Sequence, residues 1–152
     1  MELYILRHAE AGVAPRDEDR ELTDHGRQSA LAVAGGIASM HLGVESLICS
    51  PLVRAVQTAY PASKALTLSC EIADGLSTGR SPEEALKLVS AHRGPVLLVG
   101  HEPQLSGIVL AATGGRIHMR KAMLACIELD SLDPVTGRLA WLLTWQHLRK
   151  LS

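Results

Sequence analysis

An arginine and a histidine follow the first apolar run of the chain, and this pairing suggests phosphate chemistry. The run is Leu3-Tyr4-Ile5-Leu6, and Arg7 and His8 come directly after it. Four β-compatible apolar residues are typical of a buried strand, and open α/β sheets keep their ligand sites at the carboxyl ends of their strands. The guanidinium of an arginine is a planar fork that matches phosphate. We therefore expect an anion site at the end of this strand.

Two further polar groups follow other strand-like segments. They are Ser50-Pro51-Leu52-Val53-Arg54 and Gly100-His101-Glu102-Pro103. If the strands are parallel, all three groups open onto one edge of the sheet. Arg54 and His101 also lie close to the predicted starts of helices, where free amide groups attract anions. We predict a pocket in which Arg7, Arg54 and two imidazoles surround one phosphoryl group, with catalysis by positioning and charge stabilisation and without a metal or other cofactor.

Strand-like and helix-like segments alternate along the chain. The alternation predicts one α/β domain over residues 1–152, a three-layer sandwich with a mostly parallel central sheet and helices on both faces. Turn residues before the last strand predict that the final two strands form an antiparallel hairpin. Trp141 and Trp145, four residues apart in the last predicted strand, are expected on one face of it. The predicted strands are 3–6, 47–49, 70–72, 95–99, 123–129 and 139–145, and the predicted helices are 23–40, 52–66, 81–92 and 103–112.

Composition excludes several classes of partner. The 15 Lys and Arg residues nearly balance the 16 Asp and Glu residues, so the net charge of −1 gives no field that would recruit nucleic acid or an anionic membrane. No apolar run reaches the length of a membrane span, and we expect no signal peptide. Cys49, Cys70 and Cys126 are widely spaced and odd in number, which favours free thiols in a reducing compartment. These features predict a cytoplasmic protein.

Four sequence blocks resemble those of the histidine phosphatase superfamily, and they occur in the order of that family. The most specific of them is Ser-Pro-x-x-Arg-Ala-x-Gln-Thr-Ala. The short length of the chain resembles the SixA-type phosphohistidine phosphatase branch in particular. The four blocks are Leu6-Arg7-His8-Ala9-Glu10, Arg20-Glu21-Leu22-Thr23-Asp24-His25-Gly26, residues 50–59 and Val99-Gly100-His101-Glu102-Pro103.

The resemblance implies a catalytic role for each residue of the predicted pocket. His8 is the nucleophile, which forms a phosphohistidine intermediate that water then hydrolyses. Only the neutral imidazole attacks, so one ring nitrogen must be free while the other donates, and we expect a backbone carbonyl as its acceptor. Arg7, Arg54 and His101 clamp the phosphoryl oxygens, and the anion can hold His101 protonated. Ser50 is a further candidate for substrate binding.

The general acid and the role of Arg20 remain open in the sequence. Arg20 lies in the Arg-x-Leu-Thr-x-x-Gly context of the family and is a candidate for binding phosphate or an acidic substrate surface. Larger members of the family draw an acid from beyond the third strand, where Asp74 is the nearest analogue, and Glu10 is a second candidate. A phosphoramidate leaving group needs less acid assistance than an alcohol, because its imidazole can leave already protonated. An acid-poor site therefore fits phosphohistidine better than a phosphomonoester.

Three functions compete at this point. The first is a phosphatase for a phosphohistidine protein, such as a histidine-containing phosphotransfer domain. The second is a phosphatase for small phosphorylated metabolites, and the third is a phosphate-binding module without turnover. Residues 116–121 form a small basic cluster, which is typical of a solvated loop, and its functional alternatives are a docking patch for an acidic partner or a rim of the site. No pair of His or Cys residues has the short spacing of a structural zinc site.

Overall fold

Six strands form one mixed sheet in the order β3-β2-β4-β1-β5-β6 in the computed structural model, which describes residues 1–152. Strands β1 to β4 pair in parallel, whereas β5 lies antiparallel to both β1 and β6. The prediction of a mostly parallel sheet is corrected in this respect, and the predicted hairpin is present. The strands are β1 (Glu2–Arg7), β2 (Ser46–Cys49), β3 (Cys70–Ile72), β4 (Val96–Gly100), β5 (Leu124–Leu132) and β6 (Val135–Leu143).

Helices cover both faces of the sheet and complete three layers. Alternate residues of β1 point to opposite faces, so Leu3 and Ile5 belong to one buried cluster and Tyr4 and Leu6 to the other. Helices α1, α2 and α5 supply the cluster of Tyr4, whereas α3 and α4 supply that of Leu3. No helix combines the length and apolarity that crossing a membrane requires. The helices are α1 (Asp24–Met40), α2 (Val53–Leu66), α3 (Pro82–Val89), α4 (Gln104–Thr113) and α5 (Trp145–Arg149).

The antiparallel direction of β5 places the segment before it at the carboxyl end of β1. Leu124, the first residue of β5, pairs with Leu6 near the end of β1. A parallel strand at this position would start at the opposite edge of the sheet. Residues 114–123, which connect α4 to β5, therefore run past the strand end that carries Arg7 and His8.

The first turn of α1 lies against the chain that leaves β1. Thr23 caps this helix, and its Oγ1 accepts a hydrogen bond of 3.0 Å from the Gly26 amide. A Cβ atom on Gly26 would lie 2.1 Å from the carbonyl oxygen of Glu10, so only glycine permits this approach. The close contact explains the glycine of the Arg-x-Leu-Thr-x-x-Gly block and fixes the loop that follows the strand.

The final predicted strand is wrong in its last two residues. β6 ends at Leu143, and Thr144 begins α5 with a capping box, because its hydroxyl accepts from the His147 amide at 3.3 Å. Trp145 is therefore helical and does not share a strand face with Trp141. The two rings lie in different places: Trp141 packs on Tyr4 at 5.9 Å and Trp145 on His25 at 5.3 Å between ring centroids.

Candidate active site

The carboxyl ends of β1, β2 and β4 meet at one edge of the sheet, as their predicted parallel pairing requires. Arg7 at the end of β1 pairs with Gly100 at the end of β4, and Cys49 at the end of β2 pairs with Val99. The residues that follow each strand therefore leave the sheet at nearly the same level. The three polar groups selected from the sequence are brought together in this way.

Two histidines and one arginine form the buried floor of the site. The rings of His8 and His101 are 5.1 Å apart between centroids. Arg54 extends from the first turn of α2, and its Nε lies 3.4 Å from Nε2 of His8. All three residues are buried, with exposed fractions of 6% for His8, 3% for His101 and 4% for Arg54.

The backbone holds His8 in one orientation. Its Nδ1 lies 2.7 Å from the carbonyl oxygen of Ala9, which can only accept, so Nδ1 carries the ring proton and Nε2 keeps its lone pair. The Ala9 amide donates to Oγ1 of Thr58 at 3.0 Å, and this hydroxyl donates to the carbonyl oxygen of Arg54 at 2.7 Å. These bonds connect the segment after β1 to the helix that carries Arg54. The expected backbone acceptor for the second ring nitrogen is present.

Burial and neighbouring cations keep His8 neutral. Desolvation is the largest cause that lowers its pKa, and repulsion from His101 when that ring is protonated and from the guanidinium groups of Arg54 and Arg7 lowers it further, to about 3. The hydrogen bond to Ala9 opposes this shift only in part. At neutral pH the ring is the uncharged imidazole that nucleophilic attack requires.

Ser50 lies behind His101 and contacts its Nε2. The Ser50 Oγ accepts from the Leu52 amide at 3.2 Å and lies 2.7 Å from Nε2 of His101. If the hydroxyl donates to Nε2, the neutral ring carries its proton on Nδ1, and this nitrogen is buried and has no hydrogen-bond partner. An anion in the pocket would supply this partner. The Ser50 hydroxyl is buried on His101, which favours a positioning role, and its predicted contact with substrate stays a prediction.

Burial favours the neutral form of His101. Burial lowers its pKa to about 4, with Arg54 and Arg7 as further lowering charges and Asp17 as a raising one. The negative charge of a bound phosphoryl group would raise this pKa again. That a substrate holds His101 protonated stays a prediction.

Arg7 reaches the site from the last residue of β1. Its Nη1 donates to the carbonyl oxygen of Met119 at 2.9 Å, whereas its Nε is buried without a partner. Burial lowers the pKa of Arg7, and the carboxylate of Glu102 opposes this shift. Arg7 therefore remains a cation whose position the segment before β5 controls.

Asp17 is a site residue that the sequence did not reveal. It lies in a 3₁₀ turn (Asp17–Asp19), and its Oδ2 is 3.1 Å from Nη2 of Arg54 while its carbonyl oxygen accepts from Nη1 at 2.8 Å. Hydrogen bonds from Arg20 and Arg54 hold the pKa of its carboxyl below the usual range. The spacing of three residues to Arg20 was visible in the sequence, but no linear signal connects Asp17 with Arg54.

Arg20 joins the site through Asp17. Its Nη1 lies 3.2 Å from Oδ1 of Asp17, and its Nε donates to the carbonyl oxygen of Gly12 at 2.8 Å. No hydrogen bond connects it with His8, Arg7, Arg54 or His101. Its predicted contact with substrate stays a prediction.

The two predicted acids lie outside the hydrogen-bond network of the pocket. The Glu10 carboxylate accepts from the Thr23 hydroxyl at 2.6 Å, at the start of α1. Asp74 begins a second 3₁₀ turn (Asp74–Leu76), and its carbonyl oxygen accepts from Ser77 at 3.0 Å. Neither side chain has a hydrogen bond or ion pair to the four pocket residues, so their role as acid stays a prediction. No group of three or more His, Cys, Asp or Glu side chains is arranged to hold a metal ion.

The fold is α/β, and the site brings two arginines and two histidines together at one edge of the sheet. Residues 3–78 match the model of the histidine phosphatase superfamily, branch 1. The chain is also 32% identical over 134 residues to an uncharacterized protein of Picosynechococcus sp., covering 80% of this chain and 81% of that protein. The protein belongs to the histidine phosphatase superfamily.

Solved structures connect the chain with SixA proteins in particular. The protein histidine phosphatase SixA in complex with tungstate is similar with a TM-score of 0.86 and 24% identity, covering 97% of this chain and 99% of that one. SixA from Agrobacterium tumefaciens is similar with a TM-score of 0.82 and 26% identity, covering 94% and 97%. A mycobacterial glucosyl-3-phosphoglycerate phosphatase in complex with phosphate shares the fold with a TM-score of 0.74 at 16% identity, over 95% and 98%. Family and neighbours support phosphatase activity, and the neighbours include phosphatases for protein and for small-molecule substrates.

Proposed function

We propose that this protein is a phosphohistidine phosphatase that works through a phosphorylated His8. The observation that carries the proposal is the state of this residue: a buried neutral imidazole with Nδ1 bonded to the Ala9 carbonyl and Nε2 beside Arg54. The Nε2 lone pair of this ring accepts a hydrogen bond of 3.4 Å from Nε of Arg54, and a phosphoryl group bound to Arg54 would replace this bond, so that the lone pair faces phosphorus. That is the requirement for a nitrogen nucleophile.

The reaction has two displacement steps at phosphorus. In the first, Nε2 of His8 forms a bond to phosphorus while the bond from phosphorus to the substrate nitrogen breaks. The electron pair of the broken bond stays on that nitrogen, and the substrate ring leaves as neutral imidazole because its other nitrogen already carries a proton. In the second, water attacks the phosphohistidine, the bond to Nε2 breaks, and inorganic phosphate leaves. His8 returns to its neutral form, so the protein is unchanged after one turnover.

The cations around His8 stabilise the charge that moves through both steps. Arg54 and Arg7 supply positive charge, and the unpartnered Nδ1 of His101 is a donor for a phosphoryl oxygen in the tautomer that carries its proton there. Preorganised donors of this kind stabilise the transition state because they need no rearrangement during the reaction. The Asp17 carboxylate lies 3.1 Å from Nη2 of Arg54, so an incoming phosphoryl group must compete with it for this guanidinium.

A phosphohistidine protein is the proposed substrate class. Glu10 and Asp74, the acids predicted from the sequence, form no hydrogen bond or ion pair to the pocket residues, and an imidazole leaving group needs less acid assistance than an alkoxide. Similarity to the SixA proteins supports the same class. The proposed partner is therefore the substrate itself, a protein that is phosphorylated on histidine.

Phosphate release from a phosphorylated histidine phosphotransfer domain tests the proposal. The wild type should release phosphate, and His8→Asn should lower kcat by at least about 10³-fold, because it removes the nucleophile. His41→Asn is the matched control, since this exposed histidine at φ 51° has a backbone conformation that asparagine tolerates. Acid-labile ³²P should be trapped on the wild type and not on His8→Asn.

Three outcomes would contradict the proposal. Equal release by His8→Asn and the wild type would exclude His8 as the nucleophile. A strong preference for small phosphoesters in a panel of sugar phosphates would assign a metabolite phosphatase. Tight binding of phosphate without any turnover or trapped ³²P would assign a binding module.

A further inference from the structure

Four exposed basic residues lie together beside the active site. They are Arg116, His118, Arg120 and Lys121, and we call them the basic rim. The phosphatase reaction proposed above uses none of them. With a net charge of −1 for the whole chain, this concentration of positive charge is a local property of one surface.

The basic rim is fixed to the nucleophile strand by its own backbone. Met119, in the middle of the rim, is fully buried, and its carbonyl oxygen accepts from Arg7 Nη1 at 2.9 Å. The Ala122 amide donates to the carbonyl oxygens of Arg7 and His8 at 3.1 and 3.2 Å. Because the segment is anchored on both sides of Arg120 and Lys121, the backbone of these two residues has a defined position relative to His8.

Three residues of the rim line a surface depression that Arg7 also lines. This depression has a volume of about 320 Å³ and is lined by Arg7, His118, Arg120, Lys121, Met123 and residues 144–146. No acidic residue lines it, and Arg116, Arg120 and Lys121 form no ion pair with any residue of the chain. The positive charge on this side of the site is therefore available to a ligand.

We propose that the basic rim docks acidic side chains that flank the phosphohistidine of a protein substrate. This inference rests on the proposed function and names a feature of the substrate. The cations of the rim are exposed and line two separate depressions. A protein substrate can place acidic side chains in both depressions, whereas a small molecule with one additional anionic group can reach only one. Arg116 lines a separate one with Pro103, Ser106 and Leu110, on the other side of the rim. Exposed charges of this kind act on encounter and on substrate affinity more than on the chemical step.

Synthetic phosphopeptides with different flanking residues test the rim directly. We would compare two phosphohistidine peptides of equal length, one with three flanking glutamates and one with glutamines at the same positions, and the same pair built on phosphoserine. The wild type should show a kcat/KM about tenfold higher for the glutamate peptide, mostly through KM, at low ionic strength. Added salt should reduce the difference.

Charge reversal then assigns the preference to the rim. Arg120→Glu/Lys121→Glu should abolish or invert the preference while leaving kcat/KM for p-nitrophenyl phosphate unchanged. Lys87→Glu/Arg93→Glu is the matched control, since it reverses one lysine and one arginine that are also exposed and unpaired. This control should keep the wild-type preference. The peptide comparison on the wild type stands even if the rim variant fails to fold.

Each other result has a defined meaning. Equal kcat/KM for the two peptides, or a preference that survives the rim reversal, overturns the proposal. So does turnover of p-nitrophenyl phosphate without turnover of any peptide. Loss of p-nitrophenyl phosphate activity in the rim variant alone places the rim in the phosphate pocket, and this also overturns it. If only the phosphoserine peptides are hydrolysed, the phosphohistidine assignment fails, and the charge comparison within that pair still decides the role of the rim.

Discussion

Lowering the pH from 7 to 5 should destabilise this protein by about 4 kcal/mol through two buried histidines, His8 and His101. The reason is that the folded state holds both rings in their neutral form. The pKa of His8 is lowered to about 3 and that of His101 to about 4, with burial as the largest cause in each case. In the unfolded chain both rings return to the ordinary pKa of about 6.5.

The magnitude follows from the difference in proton uptake. Between pH 6.5 and 4 the unfolded state binds one proton at each ring that the folded state does not, which costs about 1.4 kcal/mol per pH unit and per histidine. The stabilisation is fully present above pH of about 6.5 and is lost as the pH falls toward the pKa of each folded ring. At pH 5 each histidine has cost about 2 kcal/mol, a large part of the 5–15 kcal/mol that holds a typical domain folded.

Urea unfolding followed by the fluorescence of Trp141 and Trp145 at pH 7, 6 and 5 measures this loss. His8→Asn should reduce the pH slope of the unfolding free energy by about half, because one of the two titrating rings is gone. His41→Asn should keep the full slope, since it replaces an exposed histidine. An unfolding free energy that stays constant from pH 7 to 5, or a full slope in His8→Asn, would refute the reasoning.

Three further substitutions test single contacts of the site. Asp17→Asn removes the charge that competes for the clamping guanidinium at 3.1 Å, so the inhibition constant of inorganic phosphate should fall by about fivefold, and a weaker inhibition would contradict this. Ser50→Ala leaves Nε2 of His101 without its partner at 2.7 Å and should lower kcat/KM by about tenfold, whereas an unchanged value would exclude the positioning role. Gly26→Ala places a Cβ 2.1 Å from a backbone oxygen and should cost about 1–3 kcal/mol in urea unfolding, while Gly12→Ala, with its nearest neighbour at 3.9 Å, should cost much less.

The strand ends show what the sequence could predict about the site. A short apolar run precedes each of the polar groups Arg7-His8, Ser50 and His101. The parallel pairing of β1, β2 and β4 places the carboxyl ends of these runs side by side at one edge of the sheet. The sequence indicated this pattern because both of its parts are local. An apolar run forms the strand, and the polar residue directly after the run lies at the carboxyl end of that strand. The location of the pocket therefore followed from the order of residues alone.

The region around β5 shows where this reasoning failed. Apolar runs do not encode strand direction, so the sequence did not indicate that β5 begins beside Leu6 and lies antiparallel to β1. The direction of this strand decides that residues 116–121 lie at the site. In the same way, the capping box at Thr144 ended β6 early, because a side-chain hydrogen bond to His147 overrode the β-forming pattern around Trp145.

The sequence by itself predicted which residues meet at one edge of the sheet, because the ends of strands and the starts of helices have local sequence patterns. It also determined the family through the spacing of four short blocks. Only the tertiary structure decided the protonation of His8 and His101, the pairing of Asp17 with Arg54, and the placement of the basic rim beside Arg7. These properties depend on burial and on distances between segments far apart in the chain, and such distances exist only after the sheet has formed.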